Sequence, residues 1–298
     1  MAVQPTAAAR LRRMLAEPGM ITAPGAYDGI TAKLIAAAGF DCVYMTGSGT
    51  AATYGYPDYG LVTLTEMAGN AGRIAAAADL PLIADADTGY GNELNVTRTV
   101  HEYERRGVAA IHLEDQDFPK KCGHLDDKDV IDRDAFCAKI AAAVNARQSD
   151  DFVIIARTDA RAVLGFDEAI ARSNAALKAG ADVIFFEAMQ DEDEMARVPK
   201  LVDGPCLLNH VHKGKTPPVT LARAEEMGFK ITILPSLLLR HVFGACEQLL
   251  SEIRRDAPLP APMGNYSPKE GFAKFGSAEW DALRTRFRDT VSERNAAE

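Results

Sequence analysis

Two short stretches concentrate the residues able to do chemistry. The first is DADTGYGN, Asp85 to Asn92, which closes an apolar run. Asp85 and Asp87 are one residue apart, so on an extended strand their side chains share a face. With Glu114, near the end of the run AAIHLED, they would place three carboxylates at one rim. Like charges held that close repel unless a cation lies among them, and a set of hard oxygens without His or Cys suits Mg2+ or Mn2+. Such an ion needs further oxygen ligands, and a 2-oxo or 2-hydroxy acid supplies two by chelation. The second stretch is FPKKCGHLDDKD, Phe118 to Asp129, which is polar and has no apolar periodicity. A cysteine beside Lys120, Lys121 and His124 is expected to have a depressed pKa, and Gly123 gives the segment a hinge. The stretch reads as a mobile loop carrying an acid, Cys122, that closes over a bound anion. Cys42, Cys137, Cys206 and Cys246 read instead as packing thiols.

Something must position these groups. Near-continuous runs of Val, Ile, Leu and Phe recur at 19–25, 42–47, 80–87, 109–115, 152–159, 182–188, 205–211 and 230–236. Strands buried on both faces have that character. Ala-rich stretches with helical spacing and a closing Gly lie between many of them. The alternation predicts a (β/α)8 TIM-type barrel over residues 1–255, better than a doubly wound sheet. No GxGxxG follows the first run, which removes the main support for dinucleotide binding. In such a barrel the active site lies at the C-terminal ends of the strands. Those ends carry Tyr44, Thr46, Asp85, Asp87, His112, Glu114, Arg157, Asp159, Glu187, Asn209, Ser236 and Arg240. Arg157 and Arg240 are suited to gripping carboxylates in bidentate pairs, and the small residues of TGSG (46–49) to an anion nest.

Composition then shifts. DAPLPAPMGNYSP (256–268) is proline-rich and cannot continue a helix. Beyond it Phe272, Phe275, Trp280, Leu283 and Phe287 mark an apolar stripe. Residues 256–298 therefore read as a linker and a C-terminal helical arm that must pack on its own barrel or on a neighbour's. The 298 residues are 47% hydrophobic with a formal net charge of −9. That balance argues against nucleic acid and anionic membrane surfaces, since both call for a basic face. Five well-separated cysteines without a CxxC pair point to reduced thiols. The N-terminal residues lack the long apolar core of a signal peptide, and no stretch of about 18 apolar residues occurs. The expectation is a soluble cytoplasmic protein.

KKCGH together with DADTGYGN, HLEDQ and ARTDA resembles the isocitrate lyase/phosphoenolpyruvate mutase superfamily over the whole chain. The KKCGH loop resembles the lyase branch in particular. The resemblance implies a Mg2+-dependent enzyme that cleaves the C2–C3 bond of a 2-hydroxy di- or tricarboxylate of the 2-methylisocitrate or 2-alkylmalate type. The products would be a 2-oxo acid and a carboxylic acid. The alternative is hydrolysis of oxaloacetate to oxalate and acetate on the same site, and a third, weaker reading is a catalytically silent barrel. Residue by residue, it implies that Asp85 and Asp87, with Asp58 and Glu114 through waters, hold the metal. Tyr44, Thr46, Gly47 and Ser48 would hold the keto-acid half, and Arg157 would lie near the alkoxide. His112 and Glu187 would support the site, Asn209 and Arg240 would hold the other carboxylate, and Cys122 would act as acid. Gly123 would join in binding, and His124, Tyr44 and Glu114 in catalysis. The partners implied are a small carboxylate substrate and further copies of the chain, in a homotetramer built as a dimer of helix-swapped dimers. Two departures stand out: His212 lies where relatives carry an acid, and Thr46 and Ser48 replace the usual Ser and Gly.

Overall fold

A computed structural model describes residues 4–125, 127–255 and 258–297, with side chains as far as 290. Eight strands among these residues pair in parallel into a closed barrel in the order β1 to β8, with β8 returning to β1. They are β1 (Ile21–Ala26), β2 (Val43–Met45), β3 (Leu82–Asp85), β4 (Ala110–Glu114), β5 (Val153–Thr158), β6 (Val183–Phe186), β7 (Cys206–Asn209) and β8 (Ile231–Leu234). Each lies within one of the eight apolar runs or overruns it by a single residue. The helices before β5 are α1 (Ala7–Ala16), α2 (Gly29–Ala37), α3 (Gly47–Thr53), α4 (Leu64–Ala78), α5 (Glu93–Glu104) and α6 (Arg133–Ala146). After it come α7 (Ala160–Val163), α8 (Phe166–Lys178), α9 (Glu192–Leu201), α10 (Leu221–Met227) and α11 (Leu237–Ile253).

Two cores explain the continuous apolarity of the strands. Alternate residues point outward and pack under the helices, among them Leu82, Ala84, Ile111, Leu113, Ile154, Ala156, Ile184, Phe186 and Leu208. The residues between them fill the interior: Ile83, Ala110, Val153, Ile155, Val183, Phe185, Leu207, Ile231 and Ile233. Leu11 of α1 belongs to the same inner cluster as Ile21 and Ile231 at the strand starts. Followed upward, the inner series turns polar: Ile83 to Asp85, Ala110 to His112 and Glu114, Ile155 to Arg157, Phe185 to Glu187, Leu207 to Asn209. The period of two that faces side chains inward thus delivers ionisable groups to one end of the barrel.

Helix starts are fixed locally. Asp28, Thr63 and Asn92 each form reciprocal capping boxes at α2, α4 and α5, and Gly228 ends α10 in the left-handed conformation. The chain divides into two compact units, Met1–His241 and Val242–Glu298, with the division inside α11. The second unit holds α12 (Pro268–Ala273), opened by a Ser267–Glu270 capping box, and α13 (Ser277–Ala297). Leu259, Met263, Phe272, Trp280 and Phe287 are exposed there. Among the described residues no helix is long and apolar enough to cross a membrane.

Candidate active site

The rim gathers most of the expected residues in one buried cluster. Tyr44, Thr46, Asp85, Asp87, His112, Glu114, Arg157, Glu187 and Asn209 are all buried. Registration places Asp85 beside His112, and Glu114 beside Arg157. Asp85 Oδ1 accepts the Asp87 backbone N–H at 2.9 Å and lies 3.6 Å from His112 Nε2. His112 Nε2 is 2.9 Å from the Tyr44 hydroxyl. Burial, outweighing Asp85, depresses His112 to about 4, so the ring is neutral at pH 7. Burial and Asp85 push the Tyr44 phenol up, so this pair carries no charge.

The structure corrects how the aspartates are placed. β3 ends at Asp85, and Asp87 sits in a left-handed turn with φ 48° rather than on an alternating strand. That turn is braced by β4, because Glu114 N–H donates to Asp87 O at 3.0 Å and Ala86 N–H to His112 O at 3.2 Å. Gly47 is required on the other side: a Cβ there would stand 2.3 Å from Asp85 Oδ2. Thr46 caps α3 through the Gly49 N–H, and its hydroxyl meets that of Ser48 at 2.9 Å.

Arg157 is the hub on the opposite side. Its guanidinium reaches Glu114 Oε2 at 2.9 Å, Asp159 Oδ2 at 2.9 Å and Glu187 Oε2 at 3.3 Å, over the Phe185 ring at 4.9 Å. Glu187 Oε2 also accepts from Asn209 Nδ2 at 3.0 Å. His124 Nδ1 accepts the Lys215 N–H at 3.0 Å, which leaves its Nε2 facing Glu187 Oε1 at 3.5 Å.

The described residues of the 118–129 loop do not stand off as a polar flap. Gln116 staples it by pairing with both the N–H and the carbonyl of Lys121, at 3.0 and 2.8 Å. Gly123 is buried, and a Cβ there would lie 2.4 Å from Arg157 Nη2 and 2.6 Å from Glu187 Cγ. Lys120 turns inward, its ammonium 2.6 Å from Asp58 Oδ1 and 2.7 Å from Asp87 Oδ1. Lys121 turns outward to the Asp127 carbonyl at 2.9 Å. The expected depression of the Cys122 pKa is therefore overturned. Burial and then the negative field of Asp58 raise it above the ordinary thiol value, because both lysine charges are directed elsewhere.

Arg240 does not join the cluster. Its side chain is exposed and forms no ion pair among the described residues, so no contact supports the expectation that it grips a carboxylate. His212 is exposed as well. Three residues have roles that the sequence does not show: Lys120 as a cluster cation, Lys128 as a buried cation, and Asp159 as the partner that orients Arg157. A long lysine on an irregular loop gives no periodic signal.

The donor set fits a hard divalent cation. Among the described residues, Asp58, Asp85, Asp87, Glu114, Asp159 and Glu187 pair with Lys120, Lys128 and Arg157 as fixed cations, so carboxylates are in excess. Burial, with the repulsion of Asp85 and Asp58 against the pull of Lys120, raises Asp87 to about 6. Asp87 Oδ1 is met by the Lys120 ammonium and Glu114 Oε2 by Arg157, while Glu114 Oε1 accepts no hydrogen bond. Among the described residues no three His, Cys, Asp or Glu groups close directly on one point. Such a cation would therefore draw its remaining oxygens from water or substrate.

A parallel barrel with ionisable side chains buried at the C-terminal ends of its strands has the arrangement of a barrel enzyme's active site. The particular family follows from likeness. The family model described as phosphoenolpyruvate phosphomutase matches residues 11–254. 2,3-Dimethylmalate lyase of Eubacterium barkeri is 47% identical over 84% of this chain and 86% of its own length. 2-Methylisocitrate lyase of Bacillus subtilis is 43% identical over 81% of this chain and 80% of that protein. Among solved structures, a 2,3-dimethylmalate lyase superposes with TM-score 0.91 at 42% identity, covering 95% and 96% of the two chains. An oxaloacetate acetylhydrolase bound to 3,3-difluorooxalacetate gives 0.90 at 39% identity, covering 94% and 96%. A phosphonopyruvate hydrolase with oxalate and Mg2+ gives 0.86 at 33% identity, covering 95% and 99%. The chain belongs to the phosphoenolpyruvate mutase/isocitrate lyase superfamily.

Proposed function

We propose that this protein is a Mg2+-dependent lyase that breaks the C2–C3 bond of a 2-hydroxy di- or tricarboxylate, 2-methylisocitrate or a 2-alkylmalate. The carbon–carbon lyase class follows from the family and from relatives of that activity. One observation carries the reading further: the Cys122 loop is tied into the same buried cluster as the strand-end carboxylates, through Lys120 and Gly123. Mg2+ or Mn2+, held on the side of Asp85, Asp87, Asp58 and Glu114, would polarise the substrate's 2-hydroxyl and carboxylate and neutralise charge as the bond breaks.

The chain's own residues do the rest. Tyr44, Thr46, Gly47 and Ser48 bind the half that becomes the 2-oxo acid. Glu114, whose Oε2 is paired with Arg157 and whose Oε1 accepts no hydrogen bond, receives the hydroxyl proton as the C–O bond becomes a carbonyl. Arg157 offsets the negative charge that develops beside it. The electron pair of the broken bond passes to the second fragment, whose carbanion is delocalised into its own carboxylate. Asn209 and His124 bind that end, and Cys122 delivers its thiol proton to the carbon. A raised thiol pKa suits this role, since a proton donor must hold its proton at neutral pH.

The second reading, oxaloacetate hydrolysis, is favoured by the likeness to oxaloacetate acetylhydrolase. The assembly is proposed as a homotetramer of helix-swapped dimers in the cytoplasm. An apolar cavity of about 230 Å3 on the barrel, lined by Pro24, Leu34, Phe40, Leu234 and Leu237, and the exposed aromatic residues of the second unit support the exchange. All five cysteines are free, in keeping with a reducing compartment. The test is turnover of 2-methylisocitrate, 2-alkylmalates, isocitrate and oxaloacetate with Mg2+, with products identified by mass spectrometry. A 2-oxo acid paired with a carboxylic acid is expected from one of the first two. Oxalate and acetate as the only products would install the second reading, and no turnover of any would remove both.

A further inference from the structure

Lys128 has no part in the chemistry described so far, yet it is one of the most enclosed cations in the molecule. Its side chain is 1% exposed, and its ammonium makes two bonds. One goes to Asp159 Oδ1 at 2.9 Å, the other to the Gly123 carbonyl. Burying a lysine costs solvation and rotamer freedom, so both partners need to count. Asp159 does not require Lys128 for pairing alone. It already receives Arg157 Nε at 2.9 Å and Nη2 at 3.3 Å, and its own N–H is held by Asp115 Oδ1 at 2.8 Å. Burial would raise its pKa, but the charges of Arg157 and Lys128 together hold it at about 2, a fixed anion.

The second bond explains the placement. Gly123 lies between Cys122 and His124, and its Cα is pressed so closely on Arg157 and Glu187 that no side chain fits. The Gln116 staple holds the loop at Lys121, before Cys122. After the cysteine, Leu125 N–H bonds back to Cys122 O at 2.9 Å, and His124 Nδ1 accepts the Lys215 N–H at 3.0 Å. Lys128 adds a second anchor on the backbone of this turn, binding the Gly123 carbonyl to the carboxylate that also orients Arg157.

We propose that Lys128 is a positioning residue: a latch joining the Gly123 carbonyl to Asp159, so that the Cys122 loop and the Arg157 guanidinium are held in one register. The proposal rests on the reading of Cys122 as the acid, and its test is chosen to separate the two. In the Mg2+-loaded enzyme, Lys128→Met keeps the apolar stem and removes the ammonium. A thiol displaced by about an ångström loses alignment, so kcat falls by ~100-fold while KM changes far less. Iodoacetamide labelling of Cys122, measured by mass spectrometry against Cys137 of the same chain, speeds up as the loop lifts. A fall in kcat with an unchanged labelling ratio would leave Lys128 as charge compensation for Asp159 alone and overturn the latch. So would no change in either quantity. Should the variant fail to fold, amide hydrogen exchange of the wild-type enzyme decides: slow exchange at Gly123 to Leu125 is expected, and exchange as fast as in an open loop overturns the proposal. If instead Cys122→Ser turns over like wild type, the acid assignment falls, while the labelling ratio in Lys128→Met still reports on the latch.

Discussion

Asp85, His112, Glu114, Arg157 and Asn209 stand on strands; Lys120, Cys122, Gly123 and Lys128 stand on a loop, and the two groups reach the same cluster by different means. On the strands, ladder hydrogen bonds fix each backbone, and the alternation of faces carries the inner series from Ile155 to Arg157 or from Leu207 to Asn209. Among the described residues the loop has no ladder beyond the single bridge between Gln116 and Val130. Its geometry is held by side chains: the Gln116 staple, Lys120 on Asp58 and Asp87, and Lys128 on Gly123 and Asp159. A strand side chain such as that of Glu114 or Asn209 can therefore be removed while the ladder still holds the neighbouring backbone. Removing a loop side chain changes where the loop lies.

The largest effect expected from this contrast is at the rim. Asp87→Ala should bring turnover to background, and exhaustive EDTA treatment of the wild type should do the same, reversed by Mg2+ or Mn2+. The variant should stay folded, within ~1 kcal/mol of wild type in denaturant unfolding, because the β3–β4 pairing below it is untouched. Asp58 also remains as a partner for Lys120. Wild-type activity persisting in EDTA would take the cation out of the mechanism.

Cys122→Ser comes next. A serine hydroxyl is a far weaker proton donor, and loss of a positioned acid costs ~100- to 10,000-fold in rate. Since burial and Asp58 raise the thiol pKa, the protonated, productive form prevails through neutral pH. Its contribution is lost only as pH rises past that raised value. The wild-type kcat should accordingly stay level into the alkaline range, and a fall centred near neutrality would contradict the geometry of the loop. For the same reason Cys122 should not label as an activated thiolate, in contrast to what KKCGH suggests when read as a string.

That difference marks where the sequence stops being legible. The strands, their order and the rim from Tyr44 to Asn209 follow from apolar runs whose ends turn polar, because the pleat ties side-chain direction to position. Lys120 and Lys121 are adjacent and chemically identical, yet one enters the cluster and the other meets the Asp127 carbonyl. No local pattern selects between them; the charges waiting across the barrel mouth do. Arg240 shows the converse, a residue at a strand end by sequence that is carried into the exposed first turn of α11. Asp87 lies in the buried rim cluster, aimed there by a left-handed turn rather than by strand alternation.

The smallest effect, and the sharpest comparison, lies in two glycines. Adding a methyl group at Gly47 places it 2.3 Å from Asp85 Oδ2, and adding one at Gly123 places it 2.4 Å from Arg157 Nη2. Overpacking of this kind costs ~1–3 kcal/mol, and what differs is the part that yields. At Gly47 the backbone is fixed by the first turn of α3, capped by Thr46, so the Asp85 carboxylate has to move. Gly47→Ala should then raise the Mg2+ concentration needed for half-maximal activity. At Gly123, Arg157 on β5 and Glu187, whose N–H donates to Thr158 O at 3.1 Å, stay and the loop lifts. Gly123→Ala should leave the Mg2+ requirement unchanged, lower kcat and speed Cys122 labelling relative to Cys137. Mg2+ titrations of both variants beside the labelling ratios decide the matter. Were Gly123→Ala to shift the Mg2+ requirement while Gly47→Ala left it alone, the division between a strand-fixed rim and a side-chain-held loop would be wrong.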